Sequence, residues 1–259
     1  MSVVIWRSAR AGYSACIFPS EEVPVVPTPQ TTVREIVADD FRTAAVFEKF
    51  GIDFCCGGKV SLAAVCRDQG LDPATLLREI EAVTQGPVDR SRNFAAWELP
   101  FLADYIVNTH HAYLRENDGP IAAYAARIAA VHGPNHPEVI EIARIFGEIA
   151  AAMEAHLREE EEVLFPMIKR LDAARKSGMA PLAADRDVAR ASLARLEREH
   201  EEIGDAVHTI RGLANGYALP ADACNTFMLT YRKLQEFEED LHHHVHLENN
   251  ILFPKAALL

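Results

Sequence analysis

Two stretches of this chain, HLREEEEVLFP beginning at His156 and HVHLENNILFP beginning at His244, share one pattern, His-x-x-x-Glu-x-x-[Val/Ile]-Leu-Phe-Pro, and stand 88 residues apart. A second pair accompanies them: THH around His110 is answered 90 residues later by His200 in EHEE. Each half of the region therefore carries a His and then a His with a Glu. That is the signature of a duplicated helical hairpin.

Beyond residue 96 the chain is dense in Ala, Leu, Ile, Glu and Arg and shows no strand-like alternation. Breaks at GPNHP, SGMAP and NGYALP predict four helices, at about 98–131, 137–173, 183–214 and 220–255. Pro120, Pro166 and Pro254 are expected to kink or fray them. Short connections favour an antiparallel up-down-up-down bundle, and the expected fold class is all-α.

Helical phase decides which side chains face inward, because a stripe advances by alternating steps of three and four. The second helix gives Ile142, Phe146, Ile149, Met153, His156, Glu160 and Val163; the third gives Leu193, Leu196, His200, Ile203 and Val207; the fourth gives Phe237, Leu241, His244, Glu248 and Ile251. The first is less regular, with Leu99, Ala103, Ile106, His110 and Tyr113, so His111 stays open as an alternative to His110. His132 reaches a metal only if the first helix persists to its end. His242, His243 and His246 fall off the seam and are expected in solvent.

Four imidazoles and two carboxylates thus occupy core positions. A lone His in a helical stripe is ordinarily a satisfied core or surface residue, but six such residues in register need a common cause. Buried carboxylates require compensating charge, and a pair of divalent ions supplies it. His and Glu four apart lie one turn above each other, so the second and fourth helices each offer an imidazole and a carboxylate to one place. If Glu160 and Glu248 bridge, each ion receives about four protein donors and a bridging oxygen, leaving roughly one of six positions open. Imidazole and carboxylate without thiolate suit iron or manganese better than structural zinc, and iron is the expectation.

The rest of the chain sets limits. Its 259 residues allow one large domain or a small one joined to a medium one. The net charge of −12, with no basic cluster, argues against nucleic acid, and no apolar run approaches the ~18 residues of a membrane helix. Arg7 and Arg10 interrupt the apolar Val3–Trp6 start, so no signal peptide is expected. Five cysteines, odd in number and sparse, fit reduced thiols and a cytoplasmic location. Residues 1–30 read as an irregular leader, 31–84 as a small domain of short helices, 85–96 as a linker, and 97–259 as the bundle. Within the small domain Thr31 or Thr32 with Glu35 forms a capping box, and Ser61 and Asp72 cap later helices.

The small domain carries Cys55 and Cys56 between Phe54 and Gly57-Gly58. The glycines are expected to permit positive φ and leave the thiols accessible, and Lys59 with a helix start near Ser61 to favour thiolate. Two small buried residues at a turn is the plainer reading. Cys66 and Cys224 read as structural and Cys16 as incidental.

The bundle region resembles the hemerythrin-like family, and its EEEEVLFPMI and LENNILFP segments resemble the di-iron iron-sulfur cluster repair proteins specifically. GIDFCCGGK resembles the cysteine-bearing domain that opens those proteins. The resemblance covers about residues 31–259. It implies a hemerythrin-like four-helix bundle holding two non-haem irons per chain, oxo- or hydroxo-bridged, with His110, His156, His200, His244, Glu160 and Glu248 as ligands. It further implies a cytoplasmic homodimer serving damaged iron-sulfur proteins under nitrosative or oxidative stress, and nitric oxide or oxygen as the small ligand. Cys55 and Cys56 would be transient ligands or redox partners, and Glu199 a carboxylate on a proton or iron path. Ala152 stands where some members carry a second such acid. Two activities are weighed: repair by supplying iron or reducing nitric oxide, and a binding or sensing module without turnover.

Overall fold

Side-chain caps start the helices of the small domain. Thr32 and Glu35 exchange hydrogen bonds as a capping box and open α1 (Val33–Asp39); after α2 (Ala44–Lys49), Gly51 at φ 65° turns the chain. Ser61 caps α3 (Leu62–Gln69), and Asp72, followed by Pro73, caps α4 (Pro73–Thr84). Their buried faces, among them Val37, Phe47, Leu62 and Ile80, pack into one cluster. The computed structural model describes residues 27–86, 92–180 and 182–259. Most of the expected leader, with Cys16, and residues 87–91 of the expected linker lie outside the described residues.

Four long helices follow, and among the described residues there is no strand. The first bundle helix runs through α5 (Leu99–Ile106) and α6 (Ala112–His132), the second through α7 (Glu138–Glu159) and α8 (Phe165–Lys176), the third is α9 (Ala183–Leu213), and the fourth is α10 (Asn225–His246) continued by α11 (Phe253–Ala256). α7 packs on α6 and α9, and α10 closes the ring against α6 and α9, as an up-down-up-down bundle requires. No described helix is long and apolar enough to cross a membrane.

Three of the four helices widen into a π-turn at the same level: Val107–His111, Glu160–Leu164 and Leu247–Leu252. Two of these are followed at once by Pro166 and Pro254, in the first turn of α8 and α11. A proline has no N–H for the residue four back and crowds its carbonyl; here a wider turn absorbs the strain, where a kink or frayed end was expected. Pro120 sits inside α6 without interrupting it. At the level of the π-turns the apolar core parts into two clusters. One holds Leu99, Leu102, Ile106, Leu164, Leu196 and Phe253; the other holds Leu114, Phe146, Met153, Phe237 and Val245 and runs on into the small domain. Buried polar side chains fill the layer between.

Candidate metal centre

That layer contains two groups of four donors. His111, Glu160, His244 and Glu248 form one and His156, Glu160, His200 and Glu248 the other, the atoms of each lying within 4.8 Å of one another. The glutamates belong to both, each dividing its oxygens. Glu160 turns Oε2 to His111 Nε2 at 3.4 Å and Oε1 to His156 Nε2 at 3.5 Å. Glu248 turns Oε1 to His244 Nε2 at 3.2 Å and Oε2 to His200 Nε2 at 3.3 Å.

Five of the six residues picked out by phase meet here; His110 does not. Its Nδ1 faces Asp240 Oδ1 at 3.0 Å, while His111 takes the inward place. The cause is the π-turn: from Ile106 the seam steps five residues to His111 and then to Leu114, instead of four to His110 and on to Tyr113. One extra residue in a turn rotates everything beyond it.

The outer nitrogens fix three of the four rings; the Nδ1 of His244 is buried without a hydrogen bond. His111 Nδ1 faces Glu161 Oε1 at 2.7 Å, and Arg115 holds that same oxygen; His156 Nδ1 faces Glu199 Oε2 at 2.9 Å; His200 Nδ1 faces Asn249 Oδ1 at 2.9 Å. An imidazole tied at Nδ1 presents Nε2 inward, the usual support of a metal-ligating His. Glu161 and Asn249 were not singled out from the sequence, and nothing in the run of four glutamates distinguishes Glu161.

The chemistry of this layer fits cations. All four oxygens of Glu160 and Glu248 are buried and accept no hydrogen bond, and the Nε2 atoms of His111 and His244 are likewise buried without one. Nε2 of His156 and of His200 confront each other at 3.0 Å, two atoms that both serve as lone-pair donors to a metal. Burial raises the Glu160 carboxyl, with Glu248 adding repulsion. Burial pulls the imidazoles of His111 and His200 down, but the two glutamates outweigh it and lift them to about 10 and about 9.

Around the centre several expectations change. Lys59 pairs with Glu197 at 3.0 Å and does not favour a thiolate; Cys55 is buried and its thiol is raised well above the usual range, by its hydrogen bond to Cys56 and by burial. Gly57 and Gly58 do not adopt positive φ. They are needed for close approach, since a Cβ on Gly58 would stand 2.4 Å from the Phe54 carbonyl oxygen. Asp53 shapes this loop by accepting from the N–H groups of Cys55, Cys56 and Gly57 at 2.8–3.0 Å.

The loop docks against the centre. The Cys56 thiol donates to the His200 carbonyl at 3.2 Å, Asn250 Nδ2 donates to the Phe54 carbonyl at 3.0 Å, and Arg34 donates to the Asn249 carbonyl at 2.6 Å. His242, His243 and His246 are therefore covered instead of solvated: His243 stacks on Phe41 with ring centroids 4.3 Å apart, and His246 is fully buried beside Phe41 and Phe54. His132 stays away from the centre, its Nε2 3.1 Å from Cys224 Sγ. That thiol is exposed, not packed as a structural residue. Glu199 lines a cavity of about 460 Å³ with Ala152, His156, Glu159, Arg195 and Glu202, an opening from solvent onto the His156 side.

A family model described as the hemerythrin HHE cation binding domain matches residues 102–256, and one described as ScdA_N, a domain of unknown function, matches residues 29–84. The iron-sulfur cluster repair protein ScdA of Staphylococcus haemolyticus is 32% identical over 233 residues, 89% of this chain and 99% of that protein. The probable iron-sulfur cluster repair protein of Haemophilus influenzae is 31% identical over 228 residues, 88% of this chain and 96% of its own length. The iron-sulfur cluster repair protein YtfE of Escherichia coli O157:H7 is 29% identical over 215 residues, 83% and 91% of the two chains.

Proposed function

Because the chain belongs to the iron-sulfur cluster repair proteins that join an ScdA-type domain to a hemerythrin cation-binding domain, we propose that it restores damaged iron-sulfur clusters from a non-haem di-iron centre in its bundle. The observation that carries this reading is the division of Glu160 and Glu248 between two imidazole pairs, with all four oxygens buried and unpartnered. His111 and His244 would hold one iron and His156 and His200 the other, with Glu160 and Glu248 shared between the two groups. Iron bound there would supply a Lewis acid and a one-electron redox couple for a small ligand such as nitric oxide or dioxygen.

The chain's own groups do the rest. Glu161, Glu199 and Asn249 hold the rings, and the apolar clusters above and below keep water from the layer. Glu199, bonded to His156 on one side and open to the cavity on the other, passes a proton or a departing iron; Glu159 and Glu202 in the same cavity take the part that Ala152 does not. Iron leaving the centre is the substrate of the repair step, with damaged iron-sulfur proteins as the recipients. Cys55 and Cys56, held against the bundle through the His200 carbonyl, act as transient ligands or redox partners, and two copies of the chain pair as a homodimer.

Protein purified without oxygen should hold about two irons per chain, and His111→Ala should hold none. Labelled iron from the loaded protein should appear in an apo cluster protein. Two irons retained with no transfer would leave a binding module and end the repair reading.

A further inference from the structure

The small domain and the bundle enclose a cavity of about 170 Å³ on the side of the fourth helix away from the centre, lined by Glu48, Asp53, Cys55, His208, Glu238 and His242 among others. His208, Glu238 and His242 hold donor atoms within 4.8 Å of one another, with the two rings' centroids 5.8 Å apart. Helix spacing accounts for this. Glu238 and His242 lie four apart on α10, one turn above each other, and His208 meets them from α9.

Glu238 asks for a partner. Its residue is 2% exposed; neither carboxylate oxygen has a well-formed hydrogen bond, and the neutral Tyr217 hydroxyl beside it brings no compensating charge. Arg211 Nε stands 3.5 Å from Oε1, on a side chain 46% exposed that can turn to solvent. The Nε2 of His242 is also buried without a hydrogen bond. Charge in the cavity favours a cation: Glu48, Asp53, Glu238 and Glu239 line it against the single guanidinium of Arg211. Burial and repulsion from Glu239 raise the Glu48 carboxyl, as expected where negative charge is uncompensated.

The geometry points to a second metal site, separate from the bundle centre, in which His208, His242 and Glu238 take one divalent first-row transition ion at the interface of the two domains. Two imidazoles and one carboxylate are a donor set for such ions, with remaining positions open to water or to a group from the cavity wall. Asp53 and Cys55 form part of that wall, so an ion held here rests beside the cysteine loop. The bundle centre contributes none of these donors.

The test is cobalt(II) binding to the metal-free full chain, followed by equilibrium dialysis and visible absorption, with helical content monitored throughout. His208→Ala and Glu238→Gln, the second nearly isosteric, should each bind about one ion per chain fewer than the unaltered chain while keeping the ions of the bundle centre. Glu248→Ala should lose the centre's ions and keep this one. The proposal is overturned if folded His208→Ala and Glu238→Gln bind as many ions as the unaltered chain, or if Glu248→Ala binds none. A failure of the bundle reading would look different: the unaltered chain would bind a single ion, removed by Glu238→Gln and untouched by Glu248→Ala.

Discussion

Three neighbouring residues on the fourth helix have three unrelated tasks. Glu248 divides its oxygens between the donor groups, Asn249 holds the His200 ring, and Asn250 ties the small domain to the bundle through the Phe54 carbonyl. The Asn249 side chain bonds only the His200 ring, and its carbonyl, which accepts from Arg34, survives substitution; Asn249→Ala should therefore leave the fold intact and weaken metal binding by about 10–100-fold, the usual cost of losing an outer partner of a ligating His, as competition with a chelator of known affinity measures. A different residue-scale effect concerns Cys224. Backbone N–H groups of Phe227 and Thr226 at the start of α10, with His132, bring its thiol down to about 7. A lowered thiol pKa places more thiolate at neutral pH, so iodoacetamide labelling of Cys224 should be half-maximal near pH 7, while buried Cys55 and Cys66 stay slow. His132→Ala should move the midpoint upward, and a midpoint unchanged by that substitution would remove His132 from the account.

Among the elements, the second, third and fourth helices were legible from spacing alone, because buried residues recur at the helical period right up to His156, His200 and His244. The first was legible as a helix but not in register. Its π-turn leaves no mark in the apolar pattern, and adjacent histidines at 110 and 111 suit either reading. Likewise the covering of His242, His243 and His246 depends on Phe41 and Phe54 from a separate part of the chain; no period within α10 encodes it. The register is decided by a pair of variants. His111→Ala should abolish iron binding, whereas His110→Ala, which loses the contact with Asp240 and the ring packing on Tyr105, His243 and His244, should retain the irons at some cost in thermal stability. Iron counts per chain read the difference, and the opposite pattern would mean that the helix runs without its wide turn.

At the scale of the whole molecule, the bundle and the small domain are held together at the centre itself. The cysteine loop sits on α9 where Gly204 leaves space, since a Cβ there would come within 3.0 Å of Cys56 Sγ, and the same thiol donates to the His200 carbonyl. Docking therefore does two things at once: it covers the thiols, Cys55 wholly and Cys56 in part, and braces the backbone that carries a metal donor. A bulky side chain at Gly204 must push the loop away, and overpacking of this kind costs ~1–3 kcal/mol, which shifts an opening equilibrium by roughly 5- to 150-fold. Gly204→Leu should keep the helical bundle, label Cys56 about tenfold faster with a thiol reagent, and loosen the iron bound through His200. Faster labelling with unchanged iron affinity would separate the two effects and show that the loop shields its thiols without bracing the centre. Unchanged labelling would mean that the loop is not seated on α9 in solution.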